Sequence, residues 1–465
     1  MKYAIFPFAL ALLVFVHRCK ENLPTKIDDA FKPRLMLSVA DSSSKELWLR
    51  LKSENILLPY RVQIWRDSLL IHTKDVYAEE DFIQESLYLS FFLENPDLYA
   101  ELKPNTPYTY RACRIENDRI VDSSNLVQTR TMDTTSHEWT WTMETFGDFS
   151  SSAFYDGAII NDTLAYAVGK IYLNDSLGQY DPTPYNLAIW NGQTWAFKKI
   201  FYSGNLIITS IRGIYVSQPN EIWLAGGSIF RWDGQSCHAP LVFSRLTLPS
   251  QNATVEKLWG DSQSNVYGVG NAGTIIHYNG SSWRKIESGT TVDLTDIYGT
   301  PDGKEVWVCG FTSDDNTALL RLRNGVCQTV WATWQAPAQN LLMPNFRGVV
   351  GVCCFGNLEV RFGSGSVQYY VPFPPHRTYY LENIDYYPDY PLWANYIRGS
   401  SKNNMFTSNY GGEIHHWNGV RFKKYNILTE NDRVTNITVS KNEMFAVGFS
   451  FSGYAQKALV LKGRR

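Results

Sequence analysis

One phrase in this chain comes back. Gly273 to Ile286 reads GTIIHYNGSSWRKI, and Gly412 to Tyr425 reads GEIHHWNGVRFKKY. Each copy is a run of alternating character, an Asn-Gly pair, and a second run with an aromatic three residues past the glycine. Asn-Gly between alternating apolar runs predicts a β-hairpin, because both residues tolerate the positive φ of a type I′ turn. The turn recurs, at times degenerate, at Asn191-Gly192, Asp233-Gly234, Asn279-Gly280, Asn324-Gly325, Ser364-Gly365, Asn418-Gly419 and Lys462-Gly463. Successive first positions lie 42, 46, 45, 40, 54 and 44 residues apart. A period of about 40 to 45 residues with several short strands in each predicts β-propeller blades.

Upstream of each turn lies a second repeated phrase, seen as NEIWLAGG, SNVYGVGNAG, KEVWVCG, NNMFTSNYGG and NEMFAVG. Seven turns predict seven blades, with six or eight as the alternatives. The last copy, LKGRR, lacks the strand that follows the other turns, whereas HEWTWTM, residues 137–143, has that strand's aromatic-rich pattern. A ring of blades closes when one blade takes strands from both ends of the repeat, which removes exposed sheet edges. The propeller is therefore expected over 137–465, closed by the strand 137–143.

Composition fits an all-β chain. Aromatics make up 14% of the 465 residues, with 15 Trp and 28 Tyr, and long helical periodicity is absent. Lys and Arg number 43 against 45 Asp and Glu, a formal charge of −2, which gives no electrostatic basis for a nucleic-acid partner. At the N-terminus, Lys2 precedes an apolar run from Tyr3 to Val16, too short for a comfortable membrane span. It ends at Cys19, as a bacterial lipoprotein signal does, although Val16, His17 and Arg18 depart from the usual lipobox. The reading is a lipoprotein-like signal over 1–19, lipidated at Cys19, with an ordinary cleaved signal peptide as the alternative. A polar tether follows over 20–33. The six remaining cysteines match no zinc spacing and are expected as buried free thiols.

Residues 34–132 form the expected first domain. Its later half, LKPNTPYTYRACRIENDRIVDSSNLVQTRT, carries a Leu-x-Pro-x-Thr-x-Tyr corner and a closing Thr-Arg-Thr, and resembles a fibronectin type III domain. The resemblance implies a two-sheet sandwich in which Leu102 and Tyr108 plug a corner between sheets. The longer pattern, with DTTSHEWTW, KLWGDSQSNVYGVGNAGTIIHYNGSSWRKIESGT and KGRR, resembles propeller-bearing bacterial surface lipoproteins that place such a domain before the propeller. Some proteins of that pattern carry a glucosyl transferase label, and no motif here supports it. A more remote likeness is to propellers that assist photosystem assembly.

No HExxH, Walker loop, GxSxG elbow or dinucleotide fingerprint occurs. A carbohydrate-active enzyme, whether glycosidase, lyase or labelled transferase, remains the alternative, since paired carboxylates drawn from separate blades leave no linear motif. Asp156, Glu256, Asp261, Asp296 and Asp302 stand near blade starts, where turn capping or solvent exposure is the plainer expectation. His277 and His416, with His415 beside it, occupy equivalent positions and are expected as ordinary surface strand residues rather than metal ligands. The loop from Asn174 to Asn186 carries Asp175 and Asp181 and is expected as a turn-rich binding rim, without the EF-hand spacing for calcium.

Alignment on glycine supplies the sharpest site candidate. Arg212, Trp259, Tyr298, Arg347 and Arg398 each precede a glycine near a blade's first strand. Facing a channel mouth, they would form a ring of stacking faces and guanidinium donors suited to anionic or sugar-like ligands; packed between blades, they would be structural. The overall expectation is an exported, lipid-anchored, monomeric binding or scaffold protein of the cell envelope or surface, secreted if Cys19 is not lipidated. Its ligand is expected to be an envelope or extracellular glycan or protein. No cofactor or metal is expected, and contact with a membrane only through the lipid anchor.

Overall fold

A computed structural model describes residues 34–86, 101–149, 151–202, 205–206, 210–219, 221–241, 254–312, 316–332, 351–355, 359–363, 367–371, 377–380 and 394–465. Cys19 and Arg347 lie outside them. The chain is all-β and divides into two compact units, the first reaching Thr135 and the second running from Ser136 to Arg465.

In the first unit, Arg34–Ser42, Glu46–Glu54 and Glu80–Ser86 make a three-stranded sheet. Leu69–Val76, Tyr60–Arg66, Pro107–Glu116 and Arg119–Ser123 make a second sheet, with Val127–Arg130 also paired to Pro107–Glu116. Alternation decides what is buried. Leu47, Leu49 and Leu51 of one sheet share a core with Val62, Ile64 and Tyr110 of the other. At the corner, Leu102 is buried and the Lys103 N–H donates to Tyr108 Oη at 2.8 Å.

The second unit is a β-propeller. Seven four-stranded antiparallel sheets occur among the described residues, numbered here blades 1 to 7 in chain order. Their first strands are Ala153–Asn161, Gly213–Gln218, Val255–Ser262, Leu294–Gly299, Gly351–Phe355, Tyr396–Ser401 and Asp432–Val439. These touch in order, and the seventh touches the first, so the first strands line a closed central channel. The outermost strand of blade 7 is Thr140–Phe146, paired with Ala455–Arg464.

The hairpin turns work differently from the sequence expectation. Among the described Asn-Gly and Asp-Gly pairs of the repeat, only Asn324-Gly325 has positive φ at both residues, 53° and 76°. At Asn191, Asp233, Asn279 and Asn418 only the following glycine is left-handed. There the side-chain Oδ1 accepts the N–H groups two and three residues on, as from Gln193 and Thr194 at 3.0 and 2.8 Å, or from Ser281 and Ser282 at 3.1 and 2.9 Å. The same pattern holds at Asp233 and Asn418. Asn and Asp serve here as local acceptors for the turn.

Ser364-Gly365 lies outside the described residues; the strands on either side of it in sequence, Glu359–Gly363 and Val367–Val371, are the second and third of blade 5. The last pair is not a turn. Lys462-Gly463 lies inside a strand, with Gly463 opposite Trp141. A Cβ on Gly463 would come within 2.6 Å of the Trp141 ring, so this glycine is a packing requirement.

Candidate functional site: the channel

The channel is built on a backbone irregularity. In blades 1, 3, 4 and 7 the pairing of the first strand slips by one residue, at Phe154/Asp156, Val255/Lys257, Leu294/Asp296 and Val434/Asn436. A bulge re-aims the side chain that follows it. The residues after the slip are Asp156, Lys257, Asp296 and Asn436, and they meet partners in other blades.

Asp156 is 2% exposed. Its Oδ1 accepts from Lys257 Nζ of blade 3 at 2.8 Å and from Asn436 Nδ2 of blade 7, while Oδ2 accepts the Ile214 N–H of blade 2 at 3.1 Å. Asp296 repeats the arrangement three blades on. Its Oδ2 accepts the Val352 N–H of blade 5 at 2.9 Å, and its two oxygens take Arg398 Nη1 and Nη2 of blade 6 at 2.7 and 2.6 Å. Burial pulls the Arg398 guanidinium down, but Asp296 outweighs it and holds the group above its ordinary value.

Each ion pair reaches past an intervening blade, and that blade starts with glycine. A Cβ on Gly213 would lie 2.7 Å from the Glu256 carbonyl oxygen, and one on Gly351 would lie 2.6 Å from that of Asn395. Glycine lets the neighbouring backbone close in, so a carboxylate spans from the first blade of a run to the third.

The residues proposed from alignment separate on this frame. By pairing register Trp259, Tyr298 and Arg398 are equivalent, each opposite an aromatic: Tyr267, Trp307 and Phe406. Tyr215, opposite Trp223, is their counterpart in blade 2, and Arg212 stands three residues earlier. Trp259, of blade 3, packs against blade 4, where a Cβ on Gly299 would come 2.0 Å from its ring. Tyr298 packs with Val352 and Cys354, and Arg398 lies 5.2 Å over the Tyr298 ring.

Arg212 alone of the four is an open group. Its side chain is 52% exposed, 4.9 Å over the Tyr155 ring and 3.2 Å from Glu256 Oε2. Tyr155 and Glu256 are the bulged residues of blades 1 and 3, so the irregularity that turns Asp156 and Lys257 inward also places Arg212's partners. Burial raises the Tyr155 hydroxyl above its ordinary pKa.

Of the other acidic candidates, Asp302, Asp175 and Asp181 have local partners. Asp302 accepts from Thr300 Oγ1 at 2.7 Å and the Lys304 N–H at 3.2 Å. In the loop after blade 1's second strand, Asp175 accepts from Leu177 and Gln179 N–H, and Asp181 pairs with Lys199. Leu177 and Tyr180 of that loop are 79% and 57% exposed. Among the described residues no group of three or more His, Cys, Asp or Glu is placed to hold a metal. The six described cysteines are free thiols.

The histidines sit on strands but not at the surface as expected: His277, His415 and His416 are all buried. His277 Nε2 meets Asn265 Oδ1 at 2.7 Å, and His416 Nε2 meets Asn404 Oδ1 at 3.0 Å, each ring stacked on an aromatic of the adjoining strand. His416 has a second partner, His137, that its equivalent lacks. Blades 2 and 4 put Glu221 with Arg231 and Glu305 with Arg321 in the same relation, again beside an aromatic.

No family model matches this chain, and no curated protein matches it. Among solved structures, YCF48 bound to D1 peptide is similar at 13% identity and a TM-score of 0.49, covering 70% of this chain and 95% of that one. The Cps50 (Swd1) β-propeller domain of Myceliophteria thermophila is similar at 10% identity and a TM-score of 0.41, covering 68% and 98%. The WD40 repeats of RRP9 match at 10% identity and a TM-score of 0.40, covering 54% and 80%.

Proposed function

We propose that this chain is a binding protein that presents its ligand surface at the channel mouth around Arg212. The observation that carries the reading is the contrast among the channel cations. Lys257 and Arg398 are buried against Asp156 and Asp296, whereas Arg212 is half-exposed, held over an aromatic face and flanked by Glu256. A guanidinium braced by a ring and a carboxylate loses little freedom when it meets a ligand, and ring and fork together suit a polar, uncharged partner such as a glycan or a peptide. An enzyme working in the channel needs a carboxylate free to move a proton, and both inward aspartates are tied to cations.

The rest of the proposal concerns placement. The signal-like 1–19 and Cys19 support an exported, lipid-anchored protein of the cell envelope. The two-sheet first unit with its Leu102–Tyr108 corner supports a fibronectin type III-like spacer that carries the propeller. Cys19→Ser should release the protein from membranes; a variant that stays membrane-bound overturns lipidation. A glycan and envelope-protein screen with the purified chain tests binding. Arg212→Ala should weaken any hit about tenfold or more with an unchanged melting temperature; equal binding by wild type and variant overturns the Arg212 site.

A further inference from the structure

The segment that leads into the closing strand is held by a pair of buried histidines. His137 and His416 are 9% and 0% exposed, and their Nδ1 atoms lie 2.9 Å apart. The surrounding network sets the tautomers. Asn404 Nδ2 faces Ser400 Oγ and the carbonyl oxygens of Ser440 and Lys441, so its Oδ1 is the atom that accepts from His416 Nε2–H. His416 Nδ1 then carries a lone pair, and His137 Nδ1–H donates to it. Both rings are neutral, and His137 Nε2 is buried without a hydrogen-bond partner.

The charged groups facing this pair are mostly cations. Arg421 and Lys423 face His137 from blade 6, and Arg465 and Lys423 face His416. Glu138 is 3.7 Å from Lys423 but is 89% exposed, and the Tyr425 hydroxyl donates to the His137 carbonyl. On the other side of blade 6's third strand, His415 faces Glu413 and Lys424. Trp139 lies edge-on to Phe406 and His416, with Arg465 5.0 Å over its ring.

We propose that the His137–His416 pair is an acid-released latch on the ring: proton uptake favours detachment of residues 137–146 from blades 6 and 7. A proton bound by the closed pair adds charge to a cluster of arginine and lysine, whereas a detached imidazole binds it in water. Burial, then Arg421 and Lys423, pushes His137 down to about 4. Burial, then His137, Arg465 and Lys423, pushes His416 down to about 2. With closed values below the ordinary 6.5 or so, the latch is at full strength above about pH 6.5 and weakens as pH falls through 6.5 toward 4. A histidine freed on opening raises the open population about 30-fold between pH 7.5 and pH 5.

Hydrogen exchange on the full chain, corrected for intrinsic rate, tests this. Protection of 137–146 should fall about 30-fold or more at pH 5 relative to pH 7.5, while 265–278, which holds the unpaired equivalent His277, changes far less. His137→Asn should reduce the pH effect, and His137→Asn with His416→Gln should abolish it. A uniform loss across all blades, or an unchanged pH effect in the double variant, overturns the latch. Should the double variant fail to fold, NMR titration of the wild type decides: a folded protein whose His137 titrates near 6.5 excludes the mechanism.

Discussion

Blades 1 to 3 and blades 4 to 6 solve one problem twice, with different cations. In both runs a buried aspartate of the first blade caps an N–H of the second and pairs with a cation of the third, past a glycine. The first run uses Lys257, a point charge, and Asp156 keeps a further partner in Asn436. The second uses Arg398 as a two-pronged fork, whose Nη1 also donates to the Val352 and Ile397 carbonyls at 3.0 and 2.8 Å. A lysine left alone can turn its flexible stem toward water; a fork fixed at several points is less free to, so the second run depends more heavily on its aspartate.

That difference gives the largest expected effect. Asp296→Ala strands a buried charge that stays charged and should destabilise the propeller by about 3–5 kcal/mol. Asp156→Ala strands an ammonium on a flexible four-carbon stem, 12% exposed, that can turn toward water, and should cost less, about 1–3 kcal/mol. Chemical denaturation of both variants reads the order. Equal losses, or a larger one for Asp156→Ala, would break the comparison and show that fork and point charge are interchangeable here.

The two runs also mark where sequence reasoning reached and where it stopped. The repeat period was legible because the outer hairpins of blades 1, 2, 3, 4 and 6 spell their turns locally. The ion pairs were not: Asp296 and Arg398 are 102 residues apart, separated by a whole blade whose contribution is the absence of a side chain at Gly351. Alignment on glycine misled for a related reason. Gly299 is small because the Trp259 ring covers it, and Gly213 because the backbone of blade 3 closes on it. Two causes give one letter, so Arg212 was grouped with Trp259, Tyr298 and Arg398, which the register places at a different level. The bulges that aim Asp156, Lys257, Asp296 and Asn436 have no letter of their own.

The smallest expected effect separates the first blades of the two runs. Asn191 of blade 1 and Asn324 of blade 4 both precede glycine at the outer hairpin and read identically in sequence. Asn324 has φ of 53°, a conformation glycine adopts freely, so the demand on that residue is conformational. Asn191 is not left-handed, and its Oδ1 holds the Gln193 and Thr194 N–H groups at 3.0 and 2.8 Å, so there the demand is chemical. Glycine satisfies the first demand and fails the second. Asn324→Gly should therefore leave stability within about 0.5 kcal/mol of wild type, because relief at positive φ offsets the added freedom of the unfolded chain. Asn191→Gly should lose about 0.5–1.5 kcal/mol, as two turn N–H groups exchange a fixed acceptor for water. Melting curves of the two single variants, measured side by side, resolve a gap of that size. Equal losses would mean that the Asn191 side chain adds nothing to its turn, and that blades 1 and 4 differ only in their channel partners.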